Sequence, residues 1–371
     1  MRFLSTTLRR RLVSLSPQLP SLTSAVGLLC PRKYETERAG RRRSASILGP
    51  DLPEVWKHLE SSSPVIHSPS SNHDHNGSNP TIIDGKIIAE DIRLEIASEI
   101  RHMKDLTGKV PGLAMLLVGK RRDSESYLRH KVKACEEVGI TSFSAELPED
   151  CPQDDLLNIV SSINEDPSIH GILVQLPLPK HMDEERVLSA ISLEKDVDGF
   201  HPLNVGNLAI RGREPLFVPC AAKACIELLL RSGVELMGKH VAVIGRSRVV
   251  GLPTSLLLQR HHATVSMIHA HSENPASITR EADVVISAAG VPNLVRRNWL
   301  KRGSVVIDVG TTPIEDPESE DGYHLAGDVC YEEALQVVSA ITPVPGGVGP
   351  VTISMLLSNT LDAAKRARGF S

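Results

Sequence analysis

His240-Val241-Ala242-Val243-Ile244-Gly245-Arg246-Ser247-Arg248-Val249-Val250-Gly251-Leu252-Pro253 is the stretch that decides the architecture. Its apolar opening reads as a buried strand, Gly245 ends that strand, and a helix is expected over residues 254–259. Strand, glycine loop and helix N-terminus in that order make the phosphate-cradling start of a dinucleotide fold, where backbone N–H groups face an anion. The spacing is GxSxxxG rather than GxGxxG, so by itself the loop points to a nucleotide only moderately. An NAD-specific fold would place an acid about 20 residues on, near the end of the next strand. That strand, 264–268, has Val265 and Ser266, with His269 following, and no acid. Arg246, directly after the first glycine, fits an extra ribose phosphate and so favours NADP, although contact with solvent would also satisfy it. Strands at 284–287 and 305–309 complete a doubly wound sheet.

Upstream, the chain alternates in the same way. A helix is expected over 89–106, with Ile92, Ile96 and Ile100 at helical spacing, followed by a strand at 113–118 and a helix at 124–138. A short strand at 141–145, a helix at 156–164 and a buried strand at 171–177 follow. Such alternation defines an α/β domain with a mainly parallel sheet. At 371 residues the chain is long for one core, and two domains around a cleft are expected.

Chemistry-bearing residues punctuate this frame. In the helix at 124–138, Leu128, Val132 and Cys135 form the buried stripe and Gly139 the stop, while Tyr127 and Lys131 stand one turn apart beside it. Burial lowers a lysine's pKa from roughly 10.4 toward neutrality, which makes Lys131 a candidate proton-transfer group. The same pair would also suit an ordinary solvated helix face. Gln175 is the one amide in an apolar strand and needs partners, structural or functional. Asp198, before Gly199, is a turn signal and could also accept from a ligand's N–H donors; Asp196 and Asp198 are expected on one side of an extended segment. In the run 342–352, Thr-Pro-Val-Pro-Gly-Gly-Val-Gly-Pro-Val-Thr, prolines stiffen a loop whose glycines let backbone approach a ligand. The amphipathic helix after it (Ile353, Leu356, Leu357, Leu361, Ala364) is expected to pack back on the first domain. Residues 81–220 and 341–371 would then form one domain, with 221–340 inserted as the nucleotide domain.

Charge is uneven. Residues 1–45 carry ten of the 41 basic residues and two of the 45 acids, so the remainder has a net charge of −12 against −4 for the whole. An Arg-, Ser- and Leu-rich, acid-poor opening resembles an organelle transit peptide, mitochondrial with plastid as the alternative, within a lead of residues 1–60. Residues 61–80, rich in Ser, His, Asn and Pro, read as a linker. No basic surface is signalled elsewhere, which argues against nucleic acid, and no apolar run approaches the ~18 residues of a membrane span. The six cysteines lack ligand spacing and read as reduced thiols; no metal site is indicated.

Five motifs in order, the Ser124–Tyr127–Lys131 helix, GILVQLPLP at 171–179, KDVDGF at 195–200, GRSRVVGLP at 245–253 and ITPVPGGVGPVT at 341–352, resemble the bifunctional FolD family, methylenetetrahydrofolate dehydrogenase/methenyltetrahydrofolate cyclohydrolase. The resemblance covers roughly residues 82–368. It implies a homodimeric enzyme that oxidises 5,10-methylenetetrahydrofolate with NADP and hydrolyses the 5,10-methenyl product to 10-formyltetrahydrofolate. It implies Lys131 as general acid/base, hydrogen-bonded to Gln175, with Tyr127 stacking on the aminobenzoyl ring and Asp198 gripping the pterin edge. Ser124 and the loop residues Pro345, Gly346, Gly347 and Val348 would line the folate site. Gly245, Arg246, Ser247, Gly251, Ala270, Gly290, Gly310, Thr311 and Thr352 would face the cofactor. The chain departs from the family pattern on the cofactor side. Ala221-Ala222 replace Thr-Pro, Ala270-His271 stand where a serine or arginine is common, Ala289 replaces a threonine, and Arg248 stands where asparagine or lysine is usual. An NAD-preferring or dehydrogenase-dominant member, and a folate- or nucleotide-binding protein with little turnover, are the alternatives.

Overall fold

The computed structural model describes residues 46–50, 52, 79–319 and 322–369. The expected transit peptide and linker lie outside these residues, apart from short pieces at 46–50, 52 and 79–80. From Ile47 onward the described residues form one compact unit.

β1 (Thr81–Ile82) leads into α1 (Gly85–Thr107), which starts where Asp84 accepts from the backbone of Lys86 at 2.8 Å and ends on Gly108 at φ 68°. Its buried face carries Ile92, Ile96 and Ile100, the stripe expected from spacing. β2 (Gly112–Val118) is buried at every position, as the central strand of a parallel sheet must be. α2 (Arg122–Val138) buries Ser124, Leu128 and Cys135 and stops at Gly139, φ 87°. β3 (Thr141–Leu147), α3 (Gln153–Glu165) and β4 (Gly171–Val174) complete a sheet of order β3-β2-β4, parallel throughout. β4 is shorter than expected: it ends at Val174, so Gln175 is the first residue beyond the strand. That position, at the C-terminal end of a parallel strand, is where α/β folds gather their chemistry.

α4 (Glu184–Ser189), a 3-10 turn (Leu193–Lys195) and α5 (Pro202–Ala209) lead to α6 (Cys220–Arg231). The nucleotide-type half follows with β5 (His240–Ile244), α7 (Gly251–Arg260), β6 (Thr264–Ile268), α8 (Pro275–Arg280), β7 (Val284–Ser287) and β8 (Val305–Asp308). α7 begins at Gly251, three residues before the expected start, because Leu252 and Pro253 fit within its first turn. A hairpin of β9 (Thr312–Glu315) and β10 (Tyr323–Ala326), the short α9 (Tyr331–Ala334), β11 (Ala340–Ile341) and α10 (Val348–Arg366) complete the chain. Among the described residues the larger sheet has the order β1-β11-β8-β7-β5-β6 and is parallel throughout. Its edge therefore joins the first strand to the one before the C-terminal helix.

α10 ties the halves together. Ser354 donates to Ala89 O of α1 at 3.1 Å, Arg366 lies 4.3 Å over the Phe217 ring, and Lys365 pairs with Glu99. The C-terminal helix thus packs on α1 and α6, as expected from its apolar face. At the other terminus, the ring nitrogens of His261 and His262 donate to the carbonyls of Ile47 and Pro50, each at 2.8 Å, and Ile47 and Leu48 pack against the core. Among the described residues no helix is long and apolar enough to cross a membrane.

Candidate active site

Lys131 projects from the inward flank of α2, one turn beyond Tyr127, toward the end of β4. Its Nζ donates to Gln175 Oε1 at 2.9 Å, while Gln175 Nε2 donates to Leu176 O at 2.9 Å. Both hydrogen bonds fix the amide, and the amide fixes the amine. The stem of Lys131 keeps some exposure, but its amine end is buried, and burial pushes its pKa below the ordinary lysine range. The Asp198 carboxylate opposes that shift, with weaker help from Cys220 and Cys135. Asp198 in turn is pushed up to about 6 by burial, against the pull of Lys131. The two groups are therefore coupled, and both change charge more readily near neutral pH than they would in water.

Asp196 and Asp198 do not share one side of an extended segment. Their run is a tight turn after the 3-10 helix, and Asp196 points inward with 1 % of its surface exposed. It accepts from Phe200 N at 3.1 Å, His201 N at 2.8 Å and Asn204 Nδ2 at 2.8 Å. Gly199, φ 75°, closes this turn, and a Cβ there would come within 2.7 Å of Pro219 N. Asn359 of α10 steadies the other side, donating to Val197 O at 2.8 Å and Val218 O at 3.1 Å and accepting from Lys223 Nζ at 3.0 Å. Asp196, Asn204 and Asn359 thus hold Asp198 in place. Sequence reading missed Asn204 and Asn359, and the only local signal was a second aspartate two residues before Asp198.

Tyr127 lies at the boundary between this cluster and a cavity of about 510 Å³. The cavity is lined by Tyr127, by Thr311 after β8, by Tyr323 of the hairpin, and by the loop residues Pro345, Gly346, Gly347 and Val348. Lys131, Gln175, Asp198 and the buried Ser124 are not among its lining residues. A residue expected at the cofactor (Thr311) and residues expected at the substrate therefore meet in one space. Thr352 turns its hydroxyl back to Val348 O at 3.0 Å, inside its own helix.

The glycine loop carries the nucleotide question. Gly245 has φ 105°, and a Cβ on it would stand 2.1 Å from Ala288 O; a Cβ on Gly251 would stand 2.1 Å from Gly245 O. Only glycines allow the strand end, the helix start and the next loop to approach so closely. α7 has no side-chain cap at its N-terminus, and Arg246, Ser247 and Arg248 beside it are exposed. A helix start without a side-chain cap, with Arg246 exposed beside it and Arg248 paired with Glu184 at 3.3 Å, suits a diphosphate, and the acid-free end of β6, with Ala270 exposed beyond it, suits an additional phosphate. The donor set therefore fits a phosphorylated dinucleotide.

Fold and site together define a cleft enzyme that pairs a nucleotide-binding parallel sheet with a buried lysine–amide couple. The chain belongs to the tetrahydrofolate dehydrogenase/cyclohydrolase family: residues 83–198 match its catalytic domain and residues 219–368 its NAD(P)-binding domain. It is 61 % identical over 323 residues to "Bifunctional protein FolD 1, mitochondrial" of Arabidopsis thaliana, covering 87 % of this chain and 90 % of that one. It is 59 % identical over 312 residues to "Bifunctional protein FolD 4, chloroplastic" of the same plant, covering 84 % and 86 %. Among solved structures, methylenetetrahydrofolate dehydrogenase-cyclohydrolase (FolD) of Trypanosoma brucei, complexed with NADP and an inhibitor, superposes with a TM-score of 0.77. That protein is 47 % identical, and the match covers 79 % of this chain and 99 % of that one.

Proposed function

We propose that this protein oxidises 5,10-methylenetetrahydrofolate to 5,10-methenyltetrahydrofolate with NADP and hydrolyses that product to 10-formyltetrahydrofolate. The observation that carries the reading is the 2.9 Å contact of a desolvated Lys131 amine with Gln175, beside Asp198. Bound NADP supplies the hydride acceptor for the first step. The chain's own task there is to hold the methylene carbon in position, with the pterin edge on Asp198 and the aminobenzoyl ring on Tyr127. Ser124 and the loop of Pro345, Gly346, Gly347 and Val348 complete the folate site. Gly245, Arg246, Ser247, Gly251, Ala270, Gly290, Gly310, Thr311 and Thr352 line the cofactor side.

In the second step Lys131, as the neutral amine, takes a proton from the water that adds to the methenyl carbon. The resulting ammonium then donates to the departing ring nitrogen as the five-membered ring opens, and the added hydroxyl releases its proton to solvent as it becomes the carbonyl of the formyl group left on the other nitrogen. Gln175 keeps Nζ aimed during both transfers. Asp198 tempers the loss of basicity that desolvation would otherwise bring to Lys131.

Residues 81–220 with 341–371 act as the folate domain and 221–340 as the nucleotide domain. The Arg-rich opening and the mitochondrial relative support import into mitochondria, and a fluorescent fusion of the full chain found in plastids would overturn that assignment. Family membership supports a homodimer, which light scattering at known concentration tests. For the activity itself, purified protein should form NADPH from methylenetetrahydrofolate and consume added methenyltetrahydrofolate without cofactor. Folate binding with neither reaction would leave a binding protein instead.

A further inference from the structure

Two buried carboxylates have no part in that chemistry. Asp308 ends β8 with 4 % of its surface exposed, and Asp328, after β10, has 0 %. Asp328 Oδ2 accepts from Ala289 N at 2.6 Å, Ser287 Oγ at 3.1 Å and Gly290 N at 3.3 Å, and its Oδ1 accepts from Val291 N at 3.0 Å. One side chain thus collects four donors from the last residue of β7 and the loop that follows it. Asp308 lies beneath it: its Oδ1 accepts from Gly310 N at 2.9 Å and Asp328 N at 3.0 Å, and its Oδ2 from Val329 N at 2.9 Å.

The backbone is shaped around this pair. A Cβ on Gly310 would lie 2.4 Å from Asp328 Oδ1, and one on Gly327 would lie 2.1 Å from Asp308 Oδ2. Both loops sit at the C-terminal edge of neighbouring parallel strands, where α/β folds bind ligands. Burial, with the Asp328 charge beside it, pushes Asp308 up to about 7. A plain loop brace would be expected to leave the loop packed on its outer face. Here Gly290 is exposed at φ 70°, and a Cβ on it would meet nothing within 4 Å. The loop is fixed from within and open on its outer face at Gly290, an arrangement that prepays the ordering a ligand would otherwise require.

We infer that Asp328, supported by Asp308, is a positioning residue for the cofactor, holding residues 287–291 and the Gly310–Thr311 turn in the shape that receives it. The inference rests on the NADP reading of the site. The cyclohydrolase step offers an internal control, because it consumes no cofactor and its residues come from α2, the end of β4 and the turn at Asp198.

The test is calorimetric titration of the full chain with NADP, beside cyclohydrolase turnover measured without cofactor. Asp328→Asn puts an NH₂ where at least one backbone N–H, that of Val291, now donates, and should weaken NADP binding about ten- to a hundred-fold. Cyclohydrolase turnover should fall far less, about twofold or under. Ser287→Ala removes one of the four donors and should weaken NADP about threefold, which decides the matter if the asparagine variant does not fold. Unaltered NADP affinity in either folded variant, or a parallel loss of both readouts, would overturn the inference. Failure of the parent protein itself to bind NADP would instead refute the cofactor reading on which it stands.

Discussion

Replacing Gln175 by glutamate changes one group of an almost isosteric side chain and tests how the amide governs Lys131. The partner oxygen now stands 2.9 Å from Nζ. A carboxylate at that distance favours the ammonium and raises a neighbouring basic pKa by about 1–3 units, or roughly 1.4–4 kcal/mol. The cyclohydrolase step needs the neutral amine, so in the parent enzyme its rate is lost as pH falls through the lowered Lys131 pKa. In Gln175→Glu the same inflection moves up, and at a pH below it the rate falls about 10- to 1000-fold. The bond from Gln175 Nε2 to Leu176 O is lost as well, at a cost of about 1–3 kcal/mol in stability. The assay is the decay of methenyltetrahydrofolate absorbance across a pH series, corrected for spontaneous hydrolysis. An inflection that stays in place, or moves to lower pH, would refute the assignment of Lys131 as the base.

Other perturbations test the scaffold. Gly245→Ala puts a methyl 2.1 Å from Ala288 O at φ 105°, and should destabilise the protein by about 2–5 kcal/mol and abolish NADP binding; calorimetry showing parental affinity would count against the cradle. Asn359→Leu leaves the Val197 and Val218 carbonyls and the Lys223 ammonium without this partner, so a loss of about 2–5 kcal/mol in urea unfolding is expected, together with a higher KM for folate as Asp198 shifts. Unchanged stability and KM would mean that Asn359 does not hold the Asp198 turn. Deleting the chain through Pro50 removes two hydrogen bonds and the packing of Ile47 and Leu48, and should lower unfolding free energy by about 2–4 kcal/mol relative to a chain beginning at Ser46. Equal denaturant midpoints would show that the segment contributes nothing.

Much of this was legible in the sequence because it is local. The buried strands, the α2 stripe of Leu128 and Cys135, and the glycine loop at 245–251 each announce themselves within a short window of residues. The juxtaposition of Tyr127 and Lys131 follows from helix geometry alone. What escaped was contact across long separations. β1 pairs with β11 through just two residues from each strand, too short to show a period. Asp308 and Asp328 stand 20 residues apart, and only the fold reveals that they clasp two loops together. The KDVDG run misled for a related reason: alternation suggested two equivalent carboxylates, while the 3-10 turn rotates Asp196 into the core and leaves Asp198 at the site. Gln175 was placed within its strand because the apolar run continues past Val174, although the ladder with β2 stops there.

The most direct measurement is hydrolysis of methenyltetrahydrofolate by Lys131→Met, without cofactor, compared with the parent at matched concentration and with NADP affinity followed in parallel. The account expects cyclohydrolase turnover to vanish into the spontaneous rate while the variant stays folded and binds NADP as before. A variant that opens the ring at the parental rate would show that the proton moves through some other group.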